Sequence, residues 1–182
     1  MIRFFDFLFS LLGLIILSPI IILLIFLGII DNGSPLFRQK RVGINQKIFF
    51  LIKFRTMHKN TKSRPTHLVD LSKVTSLGLF LRSTKLDEMP QLYNVLMGDM
   101  SLVGPRPSLF SQRKLIIERD KRGIFKVKPG ITGLAQISGI NMKTPTLLAK
   151  TDFKMIKKLN LSYYFYYIFM TFFVILKKIV NK

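Results

Sequence analysis

The chain has 182 residues, and its 29 lysines and arginines against 9 aspartates and glutamates give a formal net charge of +20. This length supports one modest domain with an anchor and excludes two substantial domains. Hydrophobic residues make up 49% of the chain, and the absence of cysteine excludes disulfides, thiolate metal sites and a thiol nucleophile. Strong positive charge together with high apolar content is typical of a protein at a membrane surface, whereas a nucleic-acid binder usually has the charge without the apolar excess.

The N-terminal part contains an uncharged apolar run, residues 8–30, that is long enough to cross a bilayer as a single helix. Ser18 and Pro19 lie near its middle, where proline removes a backbone hydrogen bond and the serine hydroxyl can bond back to a carbonyl, so that both favour a break. Basic residues flank the run at Arg3 and at positions 38–41, and the positive-inside bias then favours both ends on the cytoplasmic face. We therefore predict a re-entrant helix hairpin that is supported by the Ser-Pro break.

We predict a membrane anchor over residues 1–31 and, over residues 32–182, a small cytosolic α/β domain that is mostly helical with short strands. In its first half, short sequence patterns predict a turn at 31–35, a strand at 48–54 and a mobile polar loop at 58–75 that contains Pro65. They then predict a short helix at 77–81 followed by Arg82, a charged helix at 108–123 and a glycine-containing loop at 128–139. The uncharged, aromatic-rich residues 161–176 are too few to span a bilayer, and we expect an amphipathic helix at about 160–182 that lies on the membrane surface. A core helix of the domain is the alternative.

The clearest helix pattern covers residues 86–98. Asp87 is predicted as its N-cap, Glu88 lies in the first turn, and Pro90 is tolerated there because the first turn has no intrahelical N–H partners. Gly98 suits the C-terminal cap. The predicted buried face consists of Leu92, Tyr93 and Leu96.

Asp87 and Glu88 are the only adjacent acidic residues of the chain. One interpretation is a capping Asp followed by a first-turn Glu, both favoured by the helix dipole. Basic elements elsewhere favour phosphoryl chemistry instead, among them Lys53 and Arg55. Arg106 is especially informative because Pro105 and Pro107 restrict the backbone on both sides, which would aim its guanidinium at a phosphate.

A carboxylate that attacks a phosphodiester anion needs cations around it, and Mg²⁺ held by Asp87 and Glu88 would supply one. Zinc does not suit this chain, because its only histidines, His58 and His67, lie in the polar loop. The glycine-rich segment 128–133 offers backbone N–H groups that could bind an anion, although it contains no known nucleotide fingerprint.

Five segments resemble motifs of the bacterial sugar transferase family, the monotopic phosphoglycosyl transferases that use a polyprenol carrier. The segments are 53–57, 81–82, 86–96, 98–107 and 128–136. The stretch from Asp-Glu into Gly-Pro-Arg-Pro is hard to reach by chance, and the resemblance extends to the Ser-Pro break. It therefore covers nearly the whole chain and implies the short form of the family.

The resemblance implies transfer of a sugar 1-phosphate from a UDP-sugar to undecaprenyl phosphate, with release of UMP and a requirement for Mg²⁺. Asp87 would form a covalent phosphosugar intermediate, with Glu88 beside it, and Lys53, Arg55 and Arg106 would bind phosphate. Arg82 would tie the catalytic helix to the rest of the protein. The residues expected near the nucleotide sugar are Gly130, Thr132, Gly133 and Gln136.

The resemblance also implies a place on the cytoplasmic face of the bacterial inner membrane, among phospholipids and near downstream glycosyltransferases, and it leaves a dimer open. The chain departs from the family pattern at Lys85 and Met89, after Gln136, and near Tyr166, where the family often has an Asp. These departures leave the sugar undetermined. A non-catalytic membrane scaffold and a membrane-tethered nucleic-acid binder are the alternative functions, although no nucleic-acid-binding signature is found.

Overall fold

The computed structural model describes residues 1–59, 61 and 70–180, so most of the predicted polar loop, including Pro65 and His67, lies outside the described residues. The α-helices are α1 (Ile2–Asn32), α2 (Ser76–Thr84), α3 (Gln91–Met97), α4 (Arg113–Asp120), α5 (Leu134–Ile137), α6 (Pro145–Lys158) and α7 (Leu161–Val180). The strands are β1 (Leu36–Val42), β2 (Ile48–Phe54), β3 (Ser101–Val103) and β4 (Gly130–Thr132). Single 3₁₀ turns lie at Ile44–Gln46, Leu71–Lys73, Leu86–Glu88 and Ile124–Lys126. The protein is thus mostly helical with short strands, as predicted.

Helix α1 continues through Pro19 as one helix of 31 residues, so it is not divided into the two helical segments expected at the Ser-Pro position. The predicted side-chain bond is present, because Ser18 Oγ donates to the carbonyl oxygen of Ile15 at 2.7 Å. The helix ends at Gly33, whose φ of 66° lies in the left-handed region that favours glycine. The predicted turn at 31–35 therefore begins two residues later.

One face of α1 packs against the domain along the length of the helix. Near its start, Asp6 is buried against β3, and near its end Leu24 packs in a core cluster with Phe54 and Leu81. Helix α1 is long and apolar enough to cross a membrane, and only 11% of its most apolar stretch of 18 residues is buried inside the protein. Most of its apolar surface therefore faces outward, unlike that of a core helix.

The predicted strand at 48–54 is confirmed as β2, and it pairs antiparallel with β1. Strand β1 is not predicted, because its inward-facing positions include polar Gln39 and Arg41, which hide the usual alternation. Strands β3 and β4 form a short parallel pair. Their backbones approach so closely at one end that a Cβ on Gly130 would lie 2.0 Å from the backbone nitrogen of Gly104.

The helix predicted over 86–98 is divided into two elements. A 3₁₀ turn at Leu86–Glu88 precedes α3, so Asp87 is not the N-cap, and Pro90 occupies that position instead. The predicted buried face is also wrong, because Tyr93 is 47% exposed. The buried residues of α3 are Gln91, Asn94 and Val95.

The remaining predictions hold in part. The short helix at 77–81 is confirmed and extends over α2, while the charged helix at 108–123 is reduced to α4. The predicted loop at 128–139 contains β4 and α5, because its glycines permit close packing between backbone segments. The aromatic stretch forms α7, which buries Tyr164 and Tyr167 against Val103 and Met155 and exposes most of its phenylalanines.

Candidate active site

The acidic pair lies in the 3₁₀ turn between α2 and α3. Lys85, with a φ of 63°, reverses the chain at the end of α2, and the backbone N–H of Glu88 then donates to its carbonyl oxygen at 3.2 Å. Asp87 is 8% exposed. The turn therefore places two adjacent carboxylates in a largely buried position, where their interactions with neighbouring charges are strong.

Glu88 forms an ion pair with Arg106. Arg106 Nη2 donates to Oε1, and Arg106 Nη1 lies 3.4 Å from Oε2, so the guanidinium faces both carboxylate oxygens. The Glu88 side chain is 14% exposed and the Arg106 side chain 36%. The Pro-Arg-Pro segment thus holds its arginine at the acidic pair, which fits the rigidity expected from Pro105 and Pro107.

Two further cations come from the β1–β2 hairpin. Lys53 on β2 and Arg41 on β1 are close enough to influence the ionisation of the acidic pair. Arg41 is 6% exposed, and its Nη1 donates to the carbonyl oxygen of Pro107 at 2.9 Å. With Arg106, Lys85 and Arg82, these side chains place five cations around two carboxylates.

The two adjacent carboxyl groups ionise differently. Burial raises the pKa of Asp87 most, and the charge of Glu88 raises it further, to about 6, against the opposing effect of the cations. Burial by itself would raise the pKa of Glu88 as well, but attraction to Arg106 and its hydrogen bonds prevail and lower the value to about 2. Glu88 is therefore held as a carboxylate by its partner, while Asp87 is the more basic of the two.

Burial also lowers the pKa of Lys53 to about 8, with repulsion from Arg41 as the next cause. The same combination of burial and a neighbouring guanidinium, that of Arg106, lowers the pKa of Arg41 to about 10. The positive charges of these side chains outnumber the negative charges that the protein places beside them. The excess positive charge suits a polyanionic ligand such as a diphosphate.

A cavity of about 670 Å³ opens beside Glu88, whereas Asp87 and Lys53 do not line it. Its charged lining includes Lys85, Glu88 and Arg106, and α7 contributes Thr171. Much of the remaining lining is apolar, and it includes Met89, Leu92, Ile131, Ile140, Met142 and Val174. The cavity thus combines charged groups next to the acidic pair with an apolar lining, part of which comes from the C-terminal helix.

Not every predicted site residue lies at this cavity. Thr132 and Gln136 line it, whereas the N–H of Gly130 is already donated to the carbonyl oxygen of Pro105 at 2.9 Å. Gly133 lies close to Met155, because a Cβ there would be 2.7 Å from Met155 Sδ. The structure therefore gives Gly130 and Gly133 a packing role, and anion binding by this segment stays a prediction.

Arg55 and Arg82 both form hydrogen bonds with residues outside the acidic pair. Arg55 Nε donates to the carbonyl oxygen of Ser34 at 3.0 Å, which directs this guanidinium to the start of β1. Arg82 Nε donates to Thr56 Oγ1 at 2.8 Å, and burial lowers its pKa while attraction to Asp87 partly offsets this. Arg82 thus links α2 to the end of β2 beside Asp87.

The sequence does not single out Arg41, whose charge acts on Glu88, or the pair formed by Arg119 and Asp152. In the sequence Arg41 is one of the basic residues that flank the apolar segment, although its alternation with Gln39 on β1 is an available signal. Arg119 and Asp152 form a buried ion pair behind Arg106, and no motif connects residues 33 positions apart. Only the packing of α4 against α6 brings them together.

The acidic pair is the candidate metal site predicted from the sequence. Within residues 1–59, 61 and 70–180, no group of three or more His, Asp or Glu side chains could hold a metal ion. Two carboxylates match the small number of protein ligands usual for Mg²⁺ bound with a phosphate substrate. Because Glu88 is engaged with Arg106, Asp87 is the less committed ligand.

Comparisons with known proteins identify the relatives of this chain. The bacterial sugar transferase family matches residues 1–178. "Galactosyl transferase CpsE" of Streptococcus agalactiae is 39% identical over 174 residues, which cover 88% of this chain and 37% of that protein. "Uncharacterized sugar transferase EpsL" of Bacillus subtilis is 44% identical over 140 residues, which cover 76% of this chain and 69% of that protein.

A third relative, "UDP-glucose:undecaprenyl-phosphate glucose-1-phosphate transferase" of Klebsiella pneumoniae, is 43% identical over 154 residues, or 80% of this chain and 32% of that protein. The chain thus spans about a third of the length of two of these relatives and about two thirds of the third. With a family match over almost every residue and the acidic pair set among cations, this chain belongs to the bacterial sugar transferase family.

Proposed function

We propose that this protein transfers a sugar 1-phosphate from a UDP-sugar to undecaprenyl phosphate and releases UMP. The observation that carries the proposal is Asp87, a buried and unusually basic carboxylate set among cations, whose neighbour Glu88 lines the cavity, in a member of this family. The name of the Klebsiella relative supports the reaction class with UDP-glucose as donor, and the name of the Streptococcus relative suggests galactose as an alternative sugar.

In the first step, a carboxylate oxygen of Asp87 attacks the β-phosphorus of the UDP-sugar. The bond between that phosphorus and the bridging oxygen breaks, and UMP leaves with the electron pair. In the second step, a phosphate oxygen of the polyprenol carrier attacks the same phosphorus and Asp87 leaves as a carboxylate. Dividing the transfer in this way lets two bulky anionic substrates use one site in turn.

The cations have separate tasks in this mechanism. A carboxylate near a diphosphate experiences repulsion, which Lys53, Arg41 and Lys85 offset because they are present before the substrate binds. Arg106 pairs with Glu88 and holds that side chain in its ionised form. Asp87 is consequently the carboxylate that is available for attack.

Mg²⁺ fits this site as an ion that arrives with the diphosphate. Asp87 and Glu88 would hold it from the protein side, and when bound it would neutralise charge on the phosphates. The cations around the two carboxylates disfavour a resident divalent ion in the absence of a phosphate ligand.

The packing of α1 supports a re-entrant anchor on the cytoplasmic face. Near the start of the helix, Arg3 donates to the carbonyl oxygens of Val95 and Leu96, and at its end Asn32 Nδ2 donates to the carbonyl oxygen of Met57 at 2.6 Å. A spanning helix of this length would carry its two ends to opposite faces, about 46 Å apart along its axis. Since both ends contact one domain, we infer that α1 bends at Ser18 and Pro19 when it lies in the membrane, so that both its ends stay on one face, and that α7 lies at the membrane surface.

The test uses the purified full chain in lipid nanodiscs with undecaprenyl phosphate and Mg²⁺. UMP release is measured for UDP-glucose, UDP-galactose and their N-acetylated forms, beside an Asp87→Asn variant. We expect release with at least one donor and none from the variant. With donor labelled in its β-phosphate, the label should become bound to the wild-type protein before the acceptor is added.

Three outcomes would contradict the proposal. Near-normal turnover by Asp87→Asn would remove Asp87 as the nucleophile. UMP release that requires the acceptor, with no labelled protein, would indicate direct transfer in one step. No UMP release from any donor by a folded, membrane-bound protein would favour a scaffold function.

A further inference from the structure

The Pro-Arg-Pro segment is held through its carbonyl groups by three different parts of the fold. The carbonyl oxygen of Pro105 accepts from the backbone N–H of Gly130 at 2.9 Å. That of Arg106 accepts from Arg119 Nη1 at 2.8 Å, and that of Pro107 accepts from Arg41 Nη1 at 2.9 Å. Because the two prolines have no N–H group, these carbonyls provide most of the backbone hydrogen bonding available to the segment.

Arg119 is itself oriented by a buried ion pair. Its Nε and Nη2 donate to the same oxygen of Asp152, at 3.1 and 2.7 Å. The Arg119 side chain is 2% exposed and that of Asp152 is fully buried. The other carboxylate oxygen, Oδ1, is buried with no hydrogen-bond partner among the described residues.

This geometry suits orientation better than stability. A buried ion pair loses so much hydration that an apolar pair of similar volume is often as stable, and the unpartnered oxygen adds a further cost. The arrangement nevertheless occupies one edge of the guanidinium and leaves Nη1 directed at the Arg106 carbonyl. Rigid support of this kind is what keeps an arginine fork at a fixed place in a site.

We propose that Asp152 and Arg119 are positioning residues for Arg106, which they hold at Glu88 and at the phosphates of the donor. Asp152 orients Arg119, and Arg119 fixes the backbone from which the Arg106 side chain extends. Neither residue lines the cavity or contacts the acidic pair directly. The inference rests on the proposed transferase function and assigns two residues to it that act only through Arg106.

The test is a double-mutant cycle on UMP release. Asp152→Asn is made in the wild type and in an Arg106→Lys background, and kcat and KM for the donor are measured for each protein in nanodiscs. In the wild type we expect Asp152→Asn to lower kcat by roughly 10- to 100-fold, since a shift of about 1 Å in a site can cost that much. In the Arg106→Lys background we expect a change of less than about threefold, because the group being positioned is already lost.

Leu115→Ala is the matched control, because Leu115 lies on the same helix as Arg119, is 1% exposed and does not line the cavity. It should lower the thermal midpoint but change kcat by the same factor in both backgrounds. Arg119→Lys is the second variant, because it keeps the charge opposite Asp152 but loses the fork that reaches the Arg106 carbonyl. Like Asp152→Asn, it should lower kcat in the wild type and change kcat little in the Arg106→Lys background. It keeps the test valid if Asp152→Asn does not fold.

The positioning role would be overturned if Asp152→Asn and Arg119→Lys each lowered kcat by the same factor in both backgrounds, as expected for Leu115→Ala. The proposed transferase function would then still stand. An inactive but folded wild type would overturn the proposed function itself. The two failures are therefore distinguishable in one set of measurements.

Discussion

The phenol of Tyr164 on α7 donates a hydrogen bond of 2.9 Å to Asp6 on α1, although the two residues are 158 positions apart in the chain. The same carboxylate oxygen accepts from Ser101 Oγ at 3.0 Å and from the backbone N–H of Leu102 at 2.9 Å. One buried carboxylate in the membrane helix thus connects the first helix, the last helix and β3. Because β3 leads directly into the Pro-Arg-Pro segment, this contact sets the anchor relative to the active site.

Replacing Asp6 should therefore destabilise the protein strongly. Asp6→Ala leaves three donors without their acceptor, and we expect the free energy of unfolding to fall by about 3 kcal/mol or more. Tyr164→Phe removes one hydrogen bond and should cost about 1 to 2 kcal/mol. Thermal and denaturant unfolding in one detergent would measure both, and a loss below about 0.5 kcal/mol for Asp6→Ala would contradict the prediction.

Isosteric replacement of the two active-site carboxyls should change stability in opposite directions at pH 7.5. The pKa of Asp87 is raised from 3.8 to about 6, so its ionisation opposes folding once the pH rises above the unfolded-state value. Asp87→Asn removes this cost and should stabilise the protein by about 1 to 3 kcal/mol while abolishing transfer. Below about pH 4 this gain should disappear, because the wild-type carboxyl is then protonated in both states.

Glu88 gives the opposite sign. Its pKa is lowered from 4.5 to about 2, so its ion pair stabilises the protein above pH 4.5, and this contribution is lost as the pH falls through about 2. Glu88→Gln should lower the free energy of unfolding at pH 7.5 by about 2 to 3 kcal/mol, because Arg106 is left without its charged partner. Unfolding of the two variants across pH 4 to 8 checks both signs, and a change in the same direction for both would refute the assignment.

The rate of transfer should depend on pH in a bell shape with limbs near 6 and 8. On the acidic side Asp87 becomes protonated and loses its nucleophilic form, which should lower kcat/KM about tenfold per pH unit. On the alkaline side Lys53, whose pKa is about 8, loses the charge that attracts phosphate. Lys53→Arg should move the alkaline limb upward and leave the acidic limb in place, and an unchanged alkaline limb would exclude Lys53 as its source.

Removal of divalent cations should abolish UMP release, and Mg²⁺ should restore it. Because the described residues hold no cluster of three acidic or histidine ligands, the ion should bind with the donor and not to the free protein. Calorimetry with Mg²⁺ alone should therefore detect only weak binding, whereas UDP together with Mg²⁺ binds more tightly. Full activity in excess chelator would contradict the requirement.

Gly130→Ala separates the packing role of the glycine segment from a binding role. The added methyl group would lie 2.0 Å from the Gly104 backbone nitrogen and 2.5 Å from its Cα, which forces β3 and β4 apart. We expect a loss of several kcal/mol of stability or no folded protein. An alanine protein of normal thermal midpoint with only a raised KM for the donor would instead support direct anion binding by this segment.

Local patterns are sufficient to predict β2, α2, the membrane-length helix and the motifs around Asp87, because each depends on residues close together in the chain. They fail where the boundary between two neighbouring elements, or the burial of a side chain, depends on contacts with residues distant in the chain. The helix predicted at 86–98 is divided at Pro90, where α3 begins after the 3₁₀ turn. Asn94 is buried in place of Tyr93 because its amide bonds to the backbone of β2 at Phe50 and Ile52. Such contacts have no signature in a single segment.

The amino-acid sequence by itself determined the family, the acidic pair and the rigid arginine of the Pro-Arg-Pro segment, because composition and motifs are local properties. Only the tertiary structure decided that Arg41 joins Lys53 at the site, that Arg119 bonds to the backbone of Arg106, and that both ends of α1 contact one domain. The physical reason is that charge interactions and burial act through space. Their strength at Asp87 depends on which distant side chains the packing brings within a few ångströms.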